Sequence, residues 1–528
     1  MSGAAPEPAP SARSQRLTMV AVVAIFLASL TPVLSVPVFP MVDFYDHLSR
    51  YFVLSRLPGD SFLSQNYQSA WAILPNIGLD VLGVELMRLF SPLGSAHLIV
   101  VSIFATQYFG VLFFNRQLTG RVSLLTAILA APLLYSFIFT WGFANFLLGL
   151  GLVFWAAGAW LALRRRPWLA SAVGMVFGVL IFLTHGVAFA LYGLLVGALE
   201  AGLLWCEGRF RVRDLLRSAA LLAAQAVLPV ILFAISPTSK VAGGASNAGA
   251  SVKRLAGNGQ LMQHLHDLAL YRLATIYRVA ESPSAWVDAL SFVAVAGLML
   301  FMAWRRWVWI AKPARLAIVL GLALVALTPP TLFGVAYVAD RMPLFLAFTA
   351  AGALQTSGRK FERPEILCVS LLLGLVALRL IFIDVNWQRY RTDFAAFSKA
   401  SEAMPPHRVV VYVSAAREQR MEARGRCEMY GPLLIALRGE AAPLFAVESQ
   451  QPIRLRGALN AAQAEQPKPT GTQSLAFQSD RLEFALAAKR FDYVLVCDAE
   501  RLPRPVPTTS VVTHVGRFTV LKTATASN

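Results

Sequence analysis

Several groups able to carry or move a proton stand together in Asp43-Phe-Tyr-Asp46-His47-Leu-Ser-Arg50. At helical spacing Asp43 and His47 share one face, and Asp46 and Arg50 share a neighbouring one. A carboxylate placed one turn before a histidine can orient the ring, share a metal ion or act as a general base. The same residue types also serve as solvated or capping charges where a helix leaves a membrane, and a pair at this spacing is common. The segment continues through Tyr51, Phe52 and Leu54 to a Pro58-Gly59-Asp60 turn.

Other polar residues interrupt otherwise apolar sequence. His185 sits in Leu183-Thr184-His185-Gly186, between two closely spaced apolar runs, where an ionisable group is costly and commonly functional. Asp340-Arg341 follows Pro329-Pro330 and Phe333-Gly-Val-Ala-Tyr337. An arginine there offers a rigid fork of donors suited to phosphate, whereas a local ion pair with Asp340 would leave it a structural charge. His264-Leu-His266-Asp267 has the composition of a metal site. Its neighbours Leu261, Leu265, Leu268, Leu273 and Ile276 have helical spacing, however, which sends the two histidines to different sides. Cys206 and Cys368 fall in or beside apolar runs and read as packing residues. Cys427 and Cys497 are the two cysteines of the polar tail, and a bridge between them suits an oxidising compartment.

The elements that must position these groups are membrane helices. Of 528 residues, 57% are hydrophobic and 14% charged, against about 25% charged in soluble domains. An uncharged run from Leu17 to Phe39 is closer to the ~20 residues of a membrane span than to a signal-peptide core. Further runs lie near 96–114, 122–139, 143–163, 168–184, 187–205, 218–236, 285–303, 314–330, 342–356 and 365–384. Aromatic residues in Ser136–Trp141 mark a turn between two of them. About eleven crossings are therefore expected.

The short connections alternate in charge. Arg116 and Arg121 occupy one, Arg164 to Arg166 the next of that side, then Arg209, Arg211, Arg213 and Arg217. Arg305, Arg306, Lys312 and Arg315 follow, and finally Arg359, Lys360 and Arg363. By the positive-inside rule these face the cytoplasm, with residues 1–16 as a cytoplasmic tail and 17–386 as the membrane domain. Much of the +18 net charge is then a topology signal, and nucleic acid is not an expected partner. The bilayer is. Loops 40–94 and 237–284 and the tail 387–528 are expected outside.

In the first loop Ile77, Val81, Val84, Leu86 and Phe90 predict an amphipathic helix at the interface. The stretch Val241–Ser251 is rich in glycine, alanine and serine. In the tail, Arg408–Val413, Phe491–Cys497, Val511–Val515 and Phe518–Leu521 predict strands, and Arg481–Lys489 a helix. That is a small α/β domain with no glycine-rich phosphate loop, nucleophile elbow or zinc spacing. A supporting or acceptor-recognition role is expected of it.

A first helix entering from the cytoplasm and an acidic residue at the start of a long, partly helical outer loop resemble the GT-C superfamily of membrane glycosyltransferases. That superfamily includes protein O-mannosyltransferases and lipid A aminoarabinose transferases, and the likeness spans most of the chain. It implies an α-helical polytopic fold in a bacterial inner membrane. The implied activity is transfer of a sugar from a polyprenyl-phosphate donor to a glycan, lipid or protein acceptor of the cell envelope. By position it implies Asp43 as catalytic base, with Asp46 as the alternative, and it leaves room for a divalent metal. The family's frequent adjacent acidic pair is absent, the two acids here being three apart with a histidine after them. His47, Arg50, His185 and Arg341 are then the expected substrate- or phosphate-binding residues. Two other classes fit a polytopic chain: a transporter or flippase of lipid-linked substrate, and a non-catalytic assembly partner. Transporters commonly show inverted repeats and broken helices. No convincing halves repeat is visible here, and the ionisable residues cluster at helix ends.

Overall fold

Where no water is at hand to satisfy backbone amides, a chain must close its hydrogen bonds internally, and the apolar runs do so as helices. A computed structural model describes residues 12–242, 261–332, 335–357, 362–415, 426–444, 450–465, 490–501 and 509–524. Among them, nine helical stretches are long and apolar enough to cross a membrane. They are Gln15–Leu34, Pro92–Thr119, Leu124–Trp141, Ala144–Leu163, Pro167–Thr184, Gly186–Cys206, Val212–Ile235, Ala285–Trp304 and part of Arg363–Ser401.

The two remaining apolar runs fold differently from expectation. They form Arg315–Leu327, of 13 residues, and Val338–Gly352, of 15. At 1.5 Å per residue each is roughly 20 Å long, short of the ~30 Å hydrocarbon core. The apolar count overran because Thr328-Pro329-Pro330 ends the first helix and Leu354–Thr356 leaves the second as a strand. The Leu124–Trp141 stretch is itself broken, since Pro132 ends one helix and Ser136 caps another, Phe137–Trp141.

Helix α1 (Ala12–Leu34) holds the first span, and the first loop after it is built of α2 (Phe44–Arg56), α3 (Ser61–Asn66) and α4 (Gly78–Leu89). Asp60 starts α3 by accepting a hydrogen bond from the Leu63 amide at 2.9 Å. The expected amphipathic helix is α4, which buries Leu79, Val84 and Met87 and exposes Val81, Leu82 and Leu89.

Eight strands are short: β1 Tyr67–Ser69, β2 Val308–Ile310, β3 Leu354–Thr356, β4 Val410–Ser414, β5 Ile453–Leu455, β6 Tyr493–Cys497, β7 Thr509–Val515 and β8 Phe518–Thr523. Four of them make the sheet of the tail, in the order β4-β6-β8-β7. β4 and β6 are parallel and the other pairs antiparallel, so the sheet is mixed. These are the four strands the alternating sequence predicts; the expected helix at 481–489 lies outside the described residues. β2 and β3 pair antiparallel beside the two short helices.

The tail does not stand apart from the first loop. β1 of the loop pairs antiparallel with β5 of the tail, Tyr67 opposite Leu455 and Ser69 opposite Ile453. The Tyr67 hydroxyl donates to the Ala442 carbonyl at 2.5 Å and accepts from the Ala442 amide at 2.9 Å. Ser49 of α2 donates to the Pro432 carbonyl at 2.5 Å. Cys427 and Cys497 are joined in a disulfide, while Cys206 and Cys368 are free.

Candidate active site

Asp43 is the residue before α2, and its carboxylate is left free by an unusual backbone arrangement. An aspartate at this position normally caps the helix with its side chain, but here it makes no such bond. Instead the Val42 and Asp43 amides donate to the Thr140 and Trp141 carbonyls at 3.1 and 3.0 Å. The turn that receives them closes at Gly142, whose φ is 96°. A Cβ there would stand 2.6 Å from the Phe44 nitrogen and 2.7 Å from that of Asp43, so glycine is needed for both conformation and approach. Among the described residues none donates a hydrogen bond to the Asp43 carboxylate. Burial pushes its pKa up to about 8, helped by the charges of Asp46 and Glu428 and opposed by Arg341.

One and two turns further along α2, His47 and Arg50 are engaged with each other. Arg50 is 1% exposed. Its Nε donates to Asp80 of α4 at 2.6 Å, and its Nη2 donates to His47 Nδ1 at 2.6 Å. His47 therefore carries its proton on Nε2. Burial, with the Arg50 charge beside it, holds its pKa well below the ordinary histidine value. Of the Arg50 donors, Asp80 takes Nε and His47 takes Nη2, while Nη1 is buried without an acceptor among the described residues. Asp80 was not singled out in the sequence, since it lies in the next helix of the loop.

Arg341 is placed otherwise. It lies in the Val338–Gly352 helix, 3% exposed, with its guanidinium 4.7 Å above the Phe143 ring centre and 5.3 Å from that of Phe146. Its Nε and Nη1 are buried without an acceptor. The local ion pair with Asp340 does not form, because Asp340 instead accepts from the Tyr271 hydroxyl. Tyr337 begins this helix at a positive φ of 56° and packs edge-on against Trp141, centroids 4.8 Å apart. Trp141 Nε1 is a second buried donor without an acceptor. Its position in the aromatic turn 136–141 was legible, but its indole donor was not singled out.

His185 belongs to the same neighbourhood. It caps the Gly186–Cys206 helix, Nδ1 accepting from the Val187 amide at 3.1 Å, which puts its proton on Nε2. Its ring meets Phe146 edge-on at 5.4 Å, and the Arg341 charge acts on it. His185 and Arg341 thus meet around Phe146, and the Arg341 charge acts on Asp43. His47 and Arg50 form a supporting pair. Asp46, also on α2, adds its charge to Asp43. Of His264 and His266 the helix Leu261–Tyr277 is described but their side chains are not, and residues 243–251 and Phe333-Gly334 lie outside the described residues.

Among the described residues, the only group with three potential ligand atoms within 4.8 Å of one another is Cys427, Cys497 and Asp498. Asp43, Asp46, His47 and Glu428 are not so gathered. In the cysteine group the sulfurs are spent in the disulfide, and Asp498 accepts from Arg517 Nε at 2.7 Å and Nη2 at 2.6 Å. That group could hold an ion only with its thiols reduced.

No protein-family model matches the chain, and no curated protein matches it by sequence. Among solved structures it is similar to ArnT from Cupriavidus metallidurans bound to undecaprenyl phosphate. The identity is 13%, the TM-score 0.48, and the coverage 98% of this chain and 100% of that one. The apo state of the same protein matches at 14% identity, TM-score 0.47, over 97% and 98% of the two chains. The arabinofuranosyltransferase AftD from Mycobacteria matches at 15% identity and TM-score 0.40, covering 98% of this chain and 40% of its own.

Proposed function

We propose that this chain is a membrane glycosyltransferase of the GT-C type, acting at the outer face of a bacterial inner membrane. In this reading the loop 40–94 and the tail 387–528 lie outside and residues 1–16 in the cytoplasm. The observation that carries it is the buried guanidinium of Arg341, with two N–H groups that have no acceptor among the described residues, and its charge acting on Asp43, whose carboxylate accepts no hydrogen bond from them. Burying unpaired donors costs free energy that a protein retains where a ligand supplies the acceptor. An anion bound between Arg341 and the Trp141 indole satisfies both, and a sugar phosphate places its reacting carbon next to that anion.

The donor is a polyprenyl-phosphate sugar, its phosphate held by Arg341 and Trp141, with His185 Nε2–H a further donor. The acceptor hydroxyl gives its proton to Asp43 while its oxygen attacks the anomeric carbon. The bond from that carbon to the phosphate oxygen breaks, and polyprenyl phosphate leaves with the electron pair, inverting the centre. Asp46 is the alternative base. His47, held neutral by burial and by the charge of Arg50, keeps its proton on Nε2. Envelope-glycan and lipid mass spectrometry of a deletion strain tests this. A glycan lost on deletion must return with the wild-type gene and fail to return with Asp43→Asn or Arg341→Gln. Full restoration by both variants would sink the assignment.

A further inference from the structure

A groove of about 520 Å³ opens where the end of α1, the Pro92–Thr119 helix and the start of the tail meet. Its lining includes Leu34, Ser35, Val36, His97, Arg391 and Phe394, and none of Asp43, Trp141, His185 or Arg341. Two cations stand in its wall. Arg391 donates from Nε to the Ser35 carbonyl at 2.7 Å, which fixes the guanidinium. No acceptor among the described residues takes its Nη groups. His97 faces a carbonyl with each ring nitrogen, Nδ1 that of Leu93 at 2.7 Å and Nε2 that of Val36 at 3.0 Å. A carbonyl oxygen only accepts, so both nitrogens donate and the ring is the imidazolium cation. No carboxylate is among the residues that line the groove. Asp384 is linked to Ser35 only through Gln388, whose Nε2 donates to the Ser35 hydroxyl at 3.2 Å and to Asp384 at 3.4 Å. The groove also adjoins apolar surface. Val20, Leu27 and Leu34 recur every seven residues along one face of α1, and Leu371, Leu378 and Val385 do so on the Arg363–Trp387 helix packed against it. All six are exposed.

We propose that this groove binds a two-chain phospholipid of the bilayer leaflet on the tail's side, with its phosphate at Arg391 and His97 and its acyl chains along the two exposed stripes. The phosphate diester brings the negative charge that the two cations lack, and the free Nη groups of a tethered guanidinium suit its oxygens. A free anion would be held weakly at a site so open to water and salt. A single-chain carrier would fill one stripe, whereas a phospholipid fills both. Seated there, the lipid touches the start of the first loop, a membrane helix and the tail at once, and so ties the tail to the bilayer surface. The site shares no residue with the one around Asp43 and Arg341 and does not depend on sugar transfer. It requires only that α1 and the Arg363–Trp387 helix cross the bilayer, for which both are long and apolar enough.

Native mass spectrometry of the purified full-length chain, delipidated in detergent and titrated with dioleoylphosphatidylglycerol, counts the bound lipids and their affinities. One lipid is expected to bind more tightly than the rest, and Arg391→Ala to weaken it by about tenfold or more, the worth of a charge-assisted hydrogen bond. Dioleoylglycerol has the same chains without the phosphate, and inorganic phosphate has no chains; each should compete at least about tenfold more weakly. A phosphatidylglycerol with a photoreactive group beside its glycerol should label peptides containing residues 34–37 or 391–394. Unchanged affinity in Arg391→Ala overturns the proposal; if that variant fails to fold, labelling confined to other peptides of the wild-type chain does so. Competition by inorganic phosphate or by undecaprenyl phosphate as strong as that of phosphatidylglycerol also overturns it, the first showing an ion site and the second a single-chain carrier site.

Discussion

A general base works best when it releases its proton near the pH at which it operates, and a solvent-exposed aspartate releases it far too early. Burial and two neighbouring acids bring Asp43 to about 8 from an ordinary 3.8. The carboxyl is thus mostly protonated at pH 6, and turnover should rise with pH through about 8. Asp43→Asn should lower turnover by about 10²–10⁴-fold at pH 8 and abolish that limb in a pH–rate profile. The same shift has a stability sign. The folded chain holds this proton more tightly than the unfolded one, so stability is lost between pH 3.8 and about 8 as pH rises. Asp43→Asn should flatten that loss in thermal melts. Arg50 and Asp80 make the opposite case, a buried ion pair 2% exposed on each side. Asp80→Asn leaves a buried guanidinium unpaired and should cost about 3–5 kcal/mol, while Arg50→Met with Asp80→Leu should recover most of it. Denaturation of the purified chain distinguishes the two. At this scale the sequence was partly legible. Asp43 was singled out by its place after the first helix, whereas Asp80 and the Trp141 donor were not, because their partners come from other helices.

Elements deliver these residues through turns more than through the long helices. The close contact at Gly142 sets where Asp43 begins α2, and Tyr337, at positive φ, sets where the helix bearing Arg341 begins. Gly142→Ala puts a methyl group against the Asp43 and Phe44 nitrogens and should cost about 1–3 kcal/mol in stability. Displacing Asp43 by about 1 Å should also cost on the order of 10²-fold in turnover, which parallel melting and activity measurements would show. A variant that lost stability but kept turnover would mean Asp43 is not positioned by this turn. The membrane helices and the four tail strands were readable because their apolar periods are long or regular. The run expected at 314–330 is shortened to Arg315–Leu327 by the prolines after it, and the one expected at 342–356 lies four residues earlier, at Val338–Gly352, because Leu354–Thr356 leaves as a strand. Helix α4 was visible from the spacing of Val81, Val84 and Leu86, but nothing in that spacing revealed that Asp80 would meet Arg50.

At the scale of the whole molecule the loop after the first helix and the tail of the chain are joined. The two-stranded β1–β5 ladder, the Tyr67–Ala442 bonds and the Ser49–Pro432 bond fasten loop 40–94 to the tail. Tyr67→Phe leaves the Ala442 amide and carbonyl without that partner and should cost about 1–3 kcal/mol. Limited proteolysis should then cut within 57–77 faster than in the wild type; equal rates would show the loop to be held by other means. Three-residue strands such as β1 and β5 leave no trace in alternation, and Glu428 had no signal beyond a neighbouring cysteine. What sequence pattern records is local, and these contacts are not.

The Tyr67–Ala442 contact joins residues 375 apart in the chain. Synthesis at about 5–20 residues per second therefore leaves the strand edge of β1 without its partner for roughly 20–75 s. During that interval the loop carries an open edge able to pair with other chains. The loop and the tail can therefore fasten together only after the helices between them have been made, and a chain released early would keep that edge open.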